Sequence, residues 1–284
     1  MIKLGTRPSR LAMIQAEMVR EKLTSAIDEE VQVIPIKTDG DLSDKYQINL
    51  KSAFTRRLEY AITDGRIDAA VHSLKDFPPQ PLEGLDLVSF PISHDPSDYL
   101  ITDSGIDLFQ LKSGSTIGTG SARRKSLLKF YRPDLIVQPL RGNVDTRVGR
   151  YKELGMDGVI LSAAGLIRLG LKTNYKRLDP EFFIPAAGQG IIAVEALVSA
   201  RAASVIKGVN DPWAEIRARI ERAFLKKLGG DCSVPAGIYV KVQEVTAYLK
   251  GFIASGKSLK FSSLTGKLDD AEGLGTDLAG ELLH

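Results

Sequence analysis

The stretch KLGTRPSRLA, residues 3–12, recurs in pattern at 116–125 as TIGTGSARRK, and this repetition is the main guide to the fold. Two further pairs follow in the same order: VIPIKTDGD at 33–41 with VQPLRGNVD at 137–145, and IDAAVHSL at 67–74 with MDGVILSA at 156–163. Each piece is a short aliphatic run followed by Gly, Thr, Ser, Asp or Arg, which is typical of a strand that ends in a polar loop. The repetition predicts two similar lobes, with chance similarity between βα units as the alternative.

Helical patterns separate these strands. Apolar residues recur at helical spacing within 9–26, and again from Phe54 to Ile62, just before Gly65, a common C-terminal stop. Alternating strands and helices favour parallel sheets, so the predicted fold class is α/β. Ligands of such open sheets bind beyond the carboxyl ends of the strands, where the polar pieces of both lobes lie.

The spacing between the matched pieces shrinks along the chain, from 113 to 104 to 89 residues. The first lobe therefore holds 15 extra residues between its second and third strands, in the segment GDLSDKYQINLKSAF at 40–54. Its polar composition predicts a surface excursion that serves as a lid, with a tolerated surface insertion as the alternative.

A third unit begins near Asp211 with an amphipathic helix. Two antiparallel strand patterns follow, and a last helix is expected from about Ala271, which together predict a small α+β domain. The expected domains are 1–92 with 190–210 for the first lobe, 97–186 for the second lobe, and 211–284 for the C-terminal domain.

Composition excludes several classes of protein. The chain has 284 residues, 43% of them hydrophobic and 26% charged, as in ordinary globular proteins. No apolar run approaches the ~20 residues that a bilayer span needs, and the first residues show no hydrophobic signal region. One cysteine excludes an intrachain disulfide, and three scattered histidines argue against a zinc cluster. We expect a cytoplasmic protein without a metal.

The region from Gly118 to Arg150 is strongly basic, with eight Lys or Arg and two Asp. Arginine outnumbers lysine six to two, and the guanidinium fork suits carboxylate or phosphate groups. A solvated charge run is the alternative. Nucleic acid is disfavoured because aromatic residues make up only 7% of the chain and are not interleaved with the basic ones. A small polyanion is the favoured ligand.

Two single residues also point to chemistry. Asp76 ends a predicted strand, and Pro78 and Pro79 restrict the backbone behind it. An acid held among cations stays ionised and can stabilise positive charge, whereas a loop-capping role is the ordinary alternative. Cys232 lies in GGDCSVP, a polar context that favours a reactive thiol over a buried one.

Seven motifs together resemble the porphobilinogen deaminase (hydroxymethylbilane synthase) family. They run in order from residue 4 to about 237: LGTRPSRLA, HSLKD, GTGSARR, RGNVDTR, AAGLIRLG, PAAGQG and GGDCSVPAG. The resemblance implies two periplasmic-binding-protein-like lobes around a cleft, and a dipyrromethane cofactor joined to Cys232 by a thioether. It also implies a transferase of haem biosynthesis that condenses four porphobilinogen molecules head to tail, releases ammonia at each step, and finally hydrolyses the product to hydroxymethylbilane. A monomer is expected, without nucleic-acid or membrane partners.

The resemblance also implies roles for individual residues. Asp76 is expected to be catalytic, because one fixed carboxylate can stabilise the cationic azafulvene and help remove the proton lost on ring coupling. The expected cofactor-binding residues are Cys232, Lys75, Asp76, Thr119, Ser121, Arg123 and Arg124. The expected substrate-binding residues are Arg7, Ser9, Lys51, Phe54, Arg141, Arg147, Arg168 and Gln189. No metal is expected. Each pyrrole brings an acetate and a propionate, which suits these arginines.

The chain departs from the family pattern at three positions. Asp231 stands where the family has glycine before the cysteine, Gly120 stands in place of serine, and Ser52 in place of glycine. An acid beside Cys232 would raise the pKa of that thiol. Two rival hypotheses are a bilobal binding protein for a di- or tricarboxylate and a transferase for another anionic substrate. Cys232 argues against the binding protein, which has no use for a thiol.

Overall fold

The computed structural model describes residues 1–36, 50–229, 235–256 and 258–284, with the side chains of 50–54 outside the description. No helix in these ranges is long and apolar enough to cross a bilayer. Contacts divide the chain into two units: unit 1 comprises 1–94 and 191–218, and unit 2 comprises 95–190 and 219–284. The domain bounds expected from the sequence remain a prediction.

The elements alternate between strands and helices over most of the chain. The first half contains β1 (Ile2–Thr6), α1 (Arg10–Ala26), β2 (Val31–Pro35), α2 (Leu50–Thr63), β3 (Ala69–Ser73), β4 (Leu85–Ser93), β5 (Asp98–Thr102), β6 (Thr116–Gly118), α3 (Ala122–Tyr131) and β7 (Ile136–Gln138). The second half contains α4 (Val144–Glu153), β8 (Gly158–Ser162), α5 (Ala163–Leu169), β9 (Tyr175–Leu178), β10 (Ile191–Leu197), α6 (Arg201–Lys207), α7 (Pro212–Lys227), β11 (Ala236–Gln243), β12 (Thr246–Ser255), β13 (Ser258–Lys267) and α8 (Ala271–Leu283).

Unit 1 is built on a five-stranded sheet with the order β2-β1-β3-β10-β4. The strands β1, β2 and β3 are parallel, and β10 runs antiparallel to both of its neighbours. One apolar cluster packs Leu4 and Val194 of the sheet against Val19 and Leu23 of α1. A second cluster packs Ala70 of the sheet against Leu58 of α2. The sheet is therefore covered by helices on both faces.

Unit 2 repeats this sheet with the order β7-β6-β8-β5-β9, again with one inner strand, β5, antiparallel to its neighbours. The registers match strand for strand. Leu4 pairs with Ala69 as Ile117 pairs with Gly158, and Lys3 pairs with Gln32 as Thr116 pairs with Ile136. Equivalent residues are 113 residues apart in β1 and β6, 89 apart in β3 and β8, and 104 apart in β2 and β7. These are the offsets seen in the sequence. The predicted duplication is confirmed.

Two pairs of equivalent residues hold the doubled strands in register. Asp68 Oδ2 accepts a hydrogen bond from the Lys3 amide at 2.7 Å, and Asp157 Oδ2 accepts one from the Thr116 amide at 2.7 Å. Gly5 and its equivalent Gly118 lie near the ends of β1 and β6, where a neighbouring side chain crosses closely. A Cβ atom at Gly5 would overlap Ile67 Cδ1, and one at Gly118 would lie 2.7 Å from Met156 Sδ.

The C-terminal part of unit 2 is a small α+β arrangement. Strands β11, β12 and β13 form an antiparallel sheet, and Phe252 on β12 is fully buried. The helix α8 begins at Ala271, as the sequence predicted. Gly251 lies so close to Leu278 of α8 and Phe224 of α7 that a Cβ atom there would be 3.0 Å from Leu278 Cδ2. The predicted fold class, two similar α/β sheets and a small α+β region, is confirmed.

Candidate active site

Four predicted site residues of unit 1 lie at one edge of its sheet. Arg7 and Ser9 follow β1, and Lys75 and Asp76 follow β3. Because β1 and β3 are parallel neighbours, their carboxyl ends meet at the same edge. Ser9 is the N-cap of α1, its carbonyl accepts the Met13 amide at 2.9 Å, and all four residues are partly buried. The structure brings these four predicted residues to one edge.

The Lys75–Asp76 turn is anchored by apolar residues on either side. Residues Leu74–Asp76 form a single turn of 3-10 helix, closed by a 3.0 Å hydrogen bond from the Phe77 amide to the Leu74 carbonyl. The side chains of Leu74 and Phe77 are both buried. In unit 2 the chain passes directly from β8 into the helix α5, but Pro78 and Pro79 prevent such a continuation after Asp76. The turn is thus a feature of unit 1.

Behind this turn lies a buried polar cluster that sequence reasoning missed. His72 Nε2 lies 3.0 Å from Glu195 Oε2, and Glu59 of α2 is buried nearby on the same side of the sheet. Burial, followed by the charge of Glu195, raises the pKa of Glu59 above its ordinary value. The sequence signal was His72 and Glu195 inside the otherwise mostly apolar strands β3 and β10, but 123 residues separate the two in the chain.

Unit 2 places Thr119, Ser121, Arg123 and Arg124 at the exit of β6. Thr119 Oγ1 accepts the Ser121 amide at 3.2 Å, and the hydroxyl of Ser121, the N-cap of α3, accepts the Arg124 amide at 3.4 Å. The side chains of Thr119 and Ser121 therefore order the loop after β6, and the Ser121 cap sets the start of α3. Both arginines point from the first turn of α3 into the interior, where each is 6% exposed.

Asp98 receives both of these arginines. Arg123 Nη2 donates to Asp98 Oδ2 at 2.6 Å, and Arg124 Nη2 donates to Asp98 Oδ1 at 2.7 Å. Their Nη1 atoms donate to the carbonyls of Ile184 at 2.6 Å and Ile160 at 2.9 Å. Asp98 opens β5, and sequence reasoning missed it although an acid at the start of the apolar run DYLIT was the available signal.

The electrostatics of this cluster leave it positive. Burial alone would raise the pKa of Asp98, but the two guanidinium groups outweigh burial and hold that pKa well below its usual range. Arg123 Nε and Arg124 Nε are buried and donate to no acceptor among the described residues. One carboxylate thus faces two cations that keep unused donors, which suits a further anionic group.

Gln189, expected to bind substrate, lies in the same cluster and is only 1% exposed. Its Nε2 atom donates to Asp98 Oδ1 at 2.9 Å and to the Pro96 carbonyl at 2.6 Å. The structure therefore joins Gln189 to the carboxylate that holds the arginines. Its contact with substrate remains a prediction.

The other predicted arginines of unit 2 stand after β7 and β8. Arg141 is exposed in the loop before α4, Arg147 is partly buried within α4, and Arg168 lies in α5. Arg168 Nη2 donates to the Gly190 carbonyl at 2.6 Å, and burial lowers the pKa of Arg168 to about 10. Because β7, β6 and β8 are parallel neighbours, these residues share one sheet edge with the β6 loop.

The departure at Gly120 has a local explanation. A Cβ atom at this position would lie 3.1 Å from the Leu140 carbonyl oxygen, which is tighter than ordinary van der Waals contact. The β6 and β7 exit loops therefore approach closely here. A serine, as in the family pattern, would require the Leu140 loop to shift by a few tenths of an ångström.

Several predicted residues lie outside the described part of the chain. Cys232 and Asp231 are among them, as are 40–49 of the predicted lid. Lys51, Ser52 and Phe54 fall within α2, but their side chains are not described. The expected roles of these residues remain predictions.

The chain matches two family models over most of its length. Residues 2–204 match the porphobilinogen deaminase, dipyrromethane cofactor binding domain, and 215–284 match the porphobilinogen deaminase C-terminal domain. A porphobilinogen deaminase of Roseiflexus sp. (strain RS-1) is 40% identical over 287 residues, covering 99% of this chain and 95% of that protein. One of Syntrophotalea carbinolica is 39% identical over 290 residues, covering 99% and 92%.

Among solved structures, the methionine binding protein MetQ aligns with 78% of this chain and 94% of its own at 12% identity and a TM-score of 0.46. A similarity of that size carries no argument about ligands.

Proposed function

The chain belongs to the porphobilinogen deaminase family, and on this premise we propose that it is the transferase that makes hydroxymethylbilane. It would join four porphobilinogen molecules head to tail, release ammonia at each step, and free the linear product with water. The observation that carries the proposal is that the candidate residues stand at the carboxyl ends of register-matched parallel strands. Asp76 follows β3 in unit 1, and Arg123 and Arg124 follow β6 in unit 2.

The residues present fit an anionic cofactor. Arg123 and Arg124 share one carboxylate, that of Asp98, and both keep a buried Nε donor that no described residue accepts. We propose that these two arginines, with Lys75, Thr119 and Ser121, hold the carboxylates of a dipyrromethane attached to Cys232. When bound, that group supplies the pyrrole carbon to which the first substrate is joined.

Asp76 is the proposed catalytic residue. Its turn stands at the edge of the unit 1 sheet beside Arg7 and Ser9, within a short helix held by buried Leu74 and Phe77. Departure of ammonia leaves positive charge on the substrate, and a fixed carboxylate stabilises that charge. Ring coupling then releases a proton, which the same carboxylate can accept.

The elongating product gains two carboxylates with each pyrrole. We propose that the exposed Arg141, with Arg7, Ser9, Arg147, Arg168 and Gln189, binds these groups and the incoming substrate. The arginines among them lie in loops or helices that follow parallel strands, where open sheets bind ligands. Lys51 and Phe54 are proposed to contact substrate from the start of α2.

We further propose a cytoplasmic monomer. The family resemblance supports both parts of this proposal. Light scattering of the purified protein tests the oligomeric state.

Intact-mass measurement tests the central proposal. The purified protein should exceed the mass of its sequence by two pyrrole units, and Cys232→Ser should remove that adduct together with activity on porphobilinogen. An unmodified wild-type mass together with no turnover of porphobilinogen would overturn the proposed function. Full activity of Cys232→Ser would instead show that the cofactor is attached elsewhere.

A further inference from the structure

Three titratable residues from three elements of unit 1 form one buried cluster. His72 of β3 and Glu195 of β10 are 8% and 0% exposed, and His72 Nε2 lies 3.0 Å from Glu195 Oε2. In the antiparallel register His72 faces Ala193, and Glu195 faces Ala70, so the two side chains form a diagonal pair on one face of the sheet. Glu59 of α2, also 0% exposed, completes the cluster, because it lies close enough to Glu195 and His72 for the charge of each to act on its pKa.

The cluster contacts the chain at two points that follow the Lys75–Asp76 turn. At the first point, the His72 ring meets the edge of the Phe77 ring, with 5.0 Å between centroids and 64° between planes. At the second point, Glu59 Oε1 accepts the Leu82 amide at 3.0 Å, while Glu59 Oε2 pairs with Arg56 Nη1 at 3.2 Å. The turn therefore lies between His72 and Phe77, which the His72 ring contacts, and both prolines lie between the two contact points.

The fold itself does not require this polar pair. By strand register, the positions in unit 2 that correspond to His72 and Glu195 are Leu161 and Ile101, which are 0% and 2% exposed. The same sheet thus closes around two apolar side chains in unit 2. Replacing both partners of a buried polar pair by apolar residues of similar shape can be nearly neutral or stabilising, so stability gives no reason to keep the pair.

What distinguishes the two units at this place is the turn. After β8 the chain continues into α5, whereas after β3 it makes the Lys75–Asp76 turn and the proline segment. We propose that the His72–Glu195–Glu59 cluster positions this turn, and through it the carboxylate of Asp76, without touching substrate. This inference rests on the proposed function for the role of Asp76, but the positioning itself does not.

The sharpest test transplants the unit 2 residues into unit 1. The double variant His72→Leu/Glu195→Ile should fold, because the corresponding positions of the second sheet already hold this pair. Amide exchange at Phe77 and Leu82 should quicken at least tenfold, while exchange in β1 stays as in the wild type. Turnover should fall by roughly 10- to 10²-fold at a nearly unchanged KM, as expected when a catalytic group is misplaced. The mass adduct at Cys232 should persist.

Two further variants keep the test decisive. His72→Gln retains a hydrogen-bond donor toward Glu195 and should lose less turnover than the double variant. Glu215→Gln changes a carboxylate that accepts a hydrogen bond from Asn210 at 2.6 Å in the first turn of α7, away from the cluster, and should leave turnover unchanged.

Wild-type exchange at Phe77 and Leu82 together with wild-type turnover in the double variant would overturn the positioning role. If the double variant does not fold, His72→Gln decides the matter, because glutamine lacks the ring that contacts Phe77. Wild-type exchange at Phe77 together with wild-type turnover in His72→Gln would then overturn the positioning role. If amide exchange at Phe77 and Leu82 is faster in the double variant but the wild-type protein does not convert porphobilinogen, the proposed function is wrong and the positioning role still holds.

Discussion

Arg124 Nη2 and Asp98 Oδ1 are joined by a 2.7 Å hydrogen bond between two residues that solvent hardly reaches. Arg123 binds the other oxygen of the same carboxylate, so a single acid balances two buried cations. The arginines of the candidate cofactor site are therefore held by the negative charge of Asp98, and the stability of the fold depends on the same charge.

Removing that charge should be costly. Asp98→Asn leaves two buried guanidinium groups without an anion, and we expect the free energy of unfolding to fall by about 3–5 kcal/mol. Asp64→Asn is the matched control, because Asp64 pairs with Arg66 at 3.3 Å with both side chains more than half exposed, and it should cost less than about 1 kcal/mol. Urea denaturation measures both, and equal losses would contradict the structural reading.

Asp76→Asn should abolish most turnover while the protein stays folded and keeps its mass adduct. The substitution preserves shape and removes charge, so the loss reports electrostatics and proton transfer. Positioned acid–base groups commonly contribute roughly 10²–10⁴-fold. Asp86→Asn, an exposed acid at the start of β4, serves as the control and should behave as the wild type. Steady-state kinetics within about threefold of wild type for Asp76→Asn would move the catalytic role to another residue.

The arginines of unit 2 should divide into two groups. Arg124→Leu should block assembly of the cofactor, because this buried side chain stands with the cluster around Asp98. Arg141→Leu and Arg147→Leu should load cofactor but stall during elongation. Mass spectrometry of protein mixed with substrate counts the bound pyrroles in each variant.

The control for the arginine series is Lys125→Leu. It removes an exposed cation from the same helix as Arg124 and should give the wild-type ladder of adducts. Identical ladders in all four variants would refute the division of labour.

Glu59 should make stability depend on pH. Burial and the charge of Glu195 raise its pKa above the ordinary value of 4.5, while Arg56 and His72 act in the opposite direction. Between the ordinary and the raised pKa the folded state holds a proton that the unfolded chain has lost, so stability declines as pH rises through this window. Glu59→Gln cannot ionise, and its stability relative to the wild type should increase from about pH 4 to 7. Urea midpoints across that range test the sign, and a decrease would contradict it.

A side chain at Gly5 should lower the free energy of unfolding unless the Ile67 side chain is shortened. A Cβ atom at Gly5 would overlap Ile67 Cδ1, and overpacking of this kind typically costs about 1–3 kcal/mol. Ile67→Val removes the Cδ1 atom, so the double variant Gly5→Ala/Ile67→Val should be more stable than Gly5→Ala alone. Thermal unfolding of the four members of this cycle measures the coupling. Additive effects would show that the close crossing does not matter.

The sequence predicted the doubled sheets well, because each parallel strand is a short aliphatic run whose polar exit recurs in the other half. It also located Arg7, Asp76 and Arg124 at strand ends, since chemistry in open sheets gathers there. The helix expected before Gly65 and the one expected from about Ala271 both occur, as α2 and α8.

The partners of these residues could not be predicted in the same way. Asp98 and Glu195 lie on β5 and β10, the antiparallel strands whose neighbours are distant in sequence. Which acid meets which arginine or histidine depends on register across those strands, and local periodicity carries no information about it.

The place of β10 within its sheet has a consequence for synthesis on the ribosome. The strands of the unit 2 sheet all lie between Asp98 and Leu178, so that sheet can close as soon as this segment has emerged. The unit 1 sheet must wait, because β10 separates β3 from β4 and is made about a hundred residues after them. Until Ile191–Leu197 arrives, β4 has no neighbour and β3 shows an unpaired edge. The N-terminal half of the nascent chain therefore completes its sheet after the second half does, and its unpaired strand edges stay exposed for longer during synthesis.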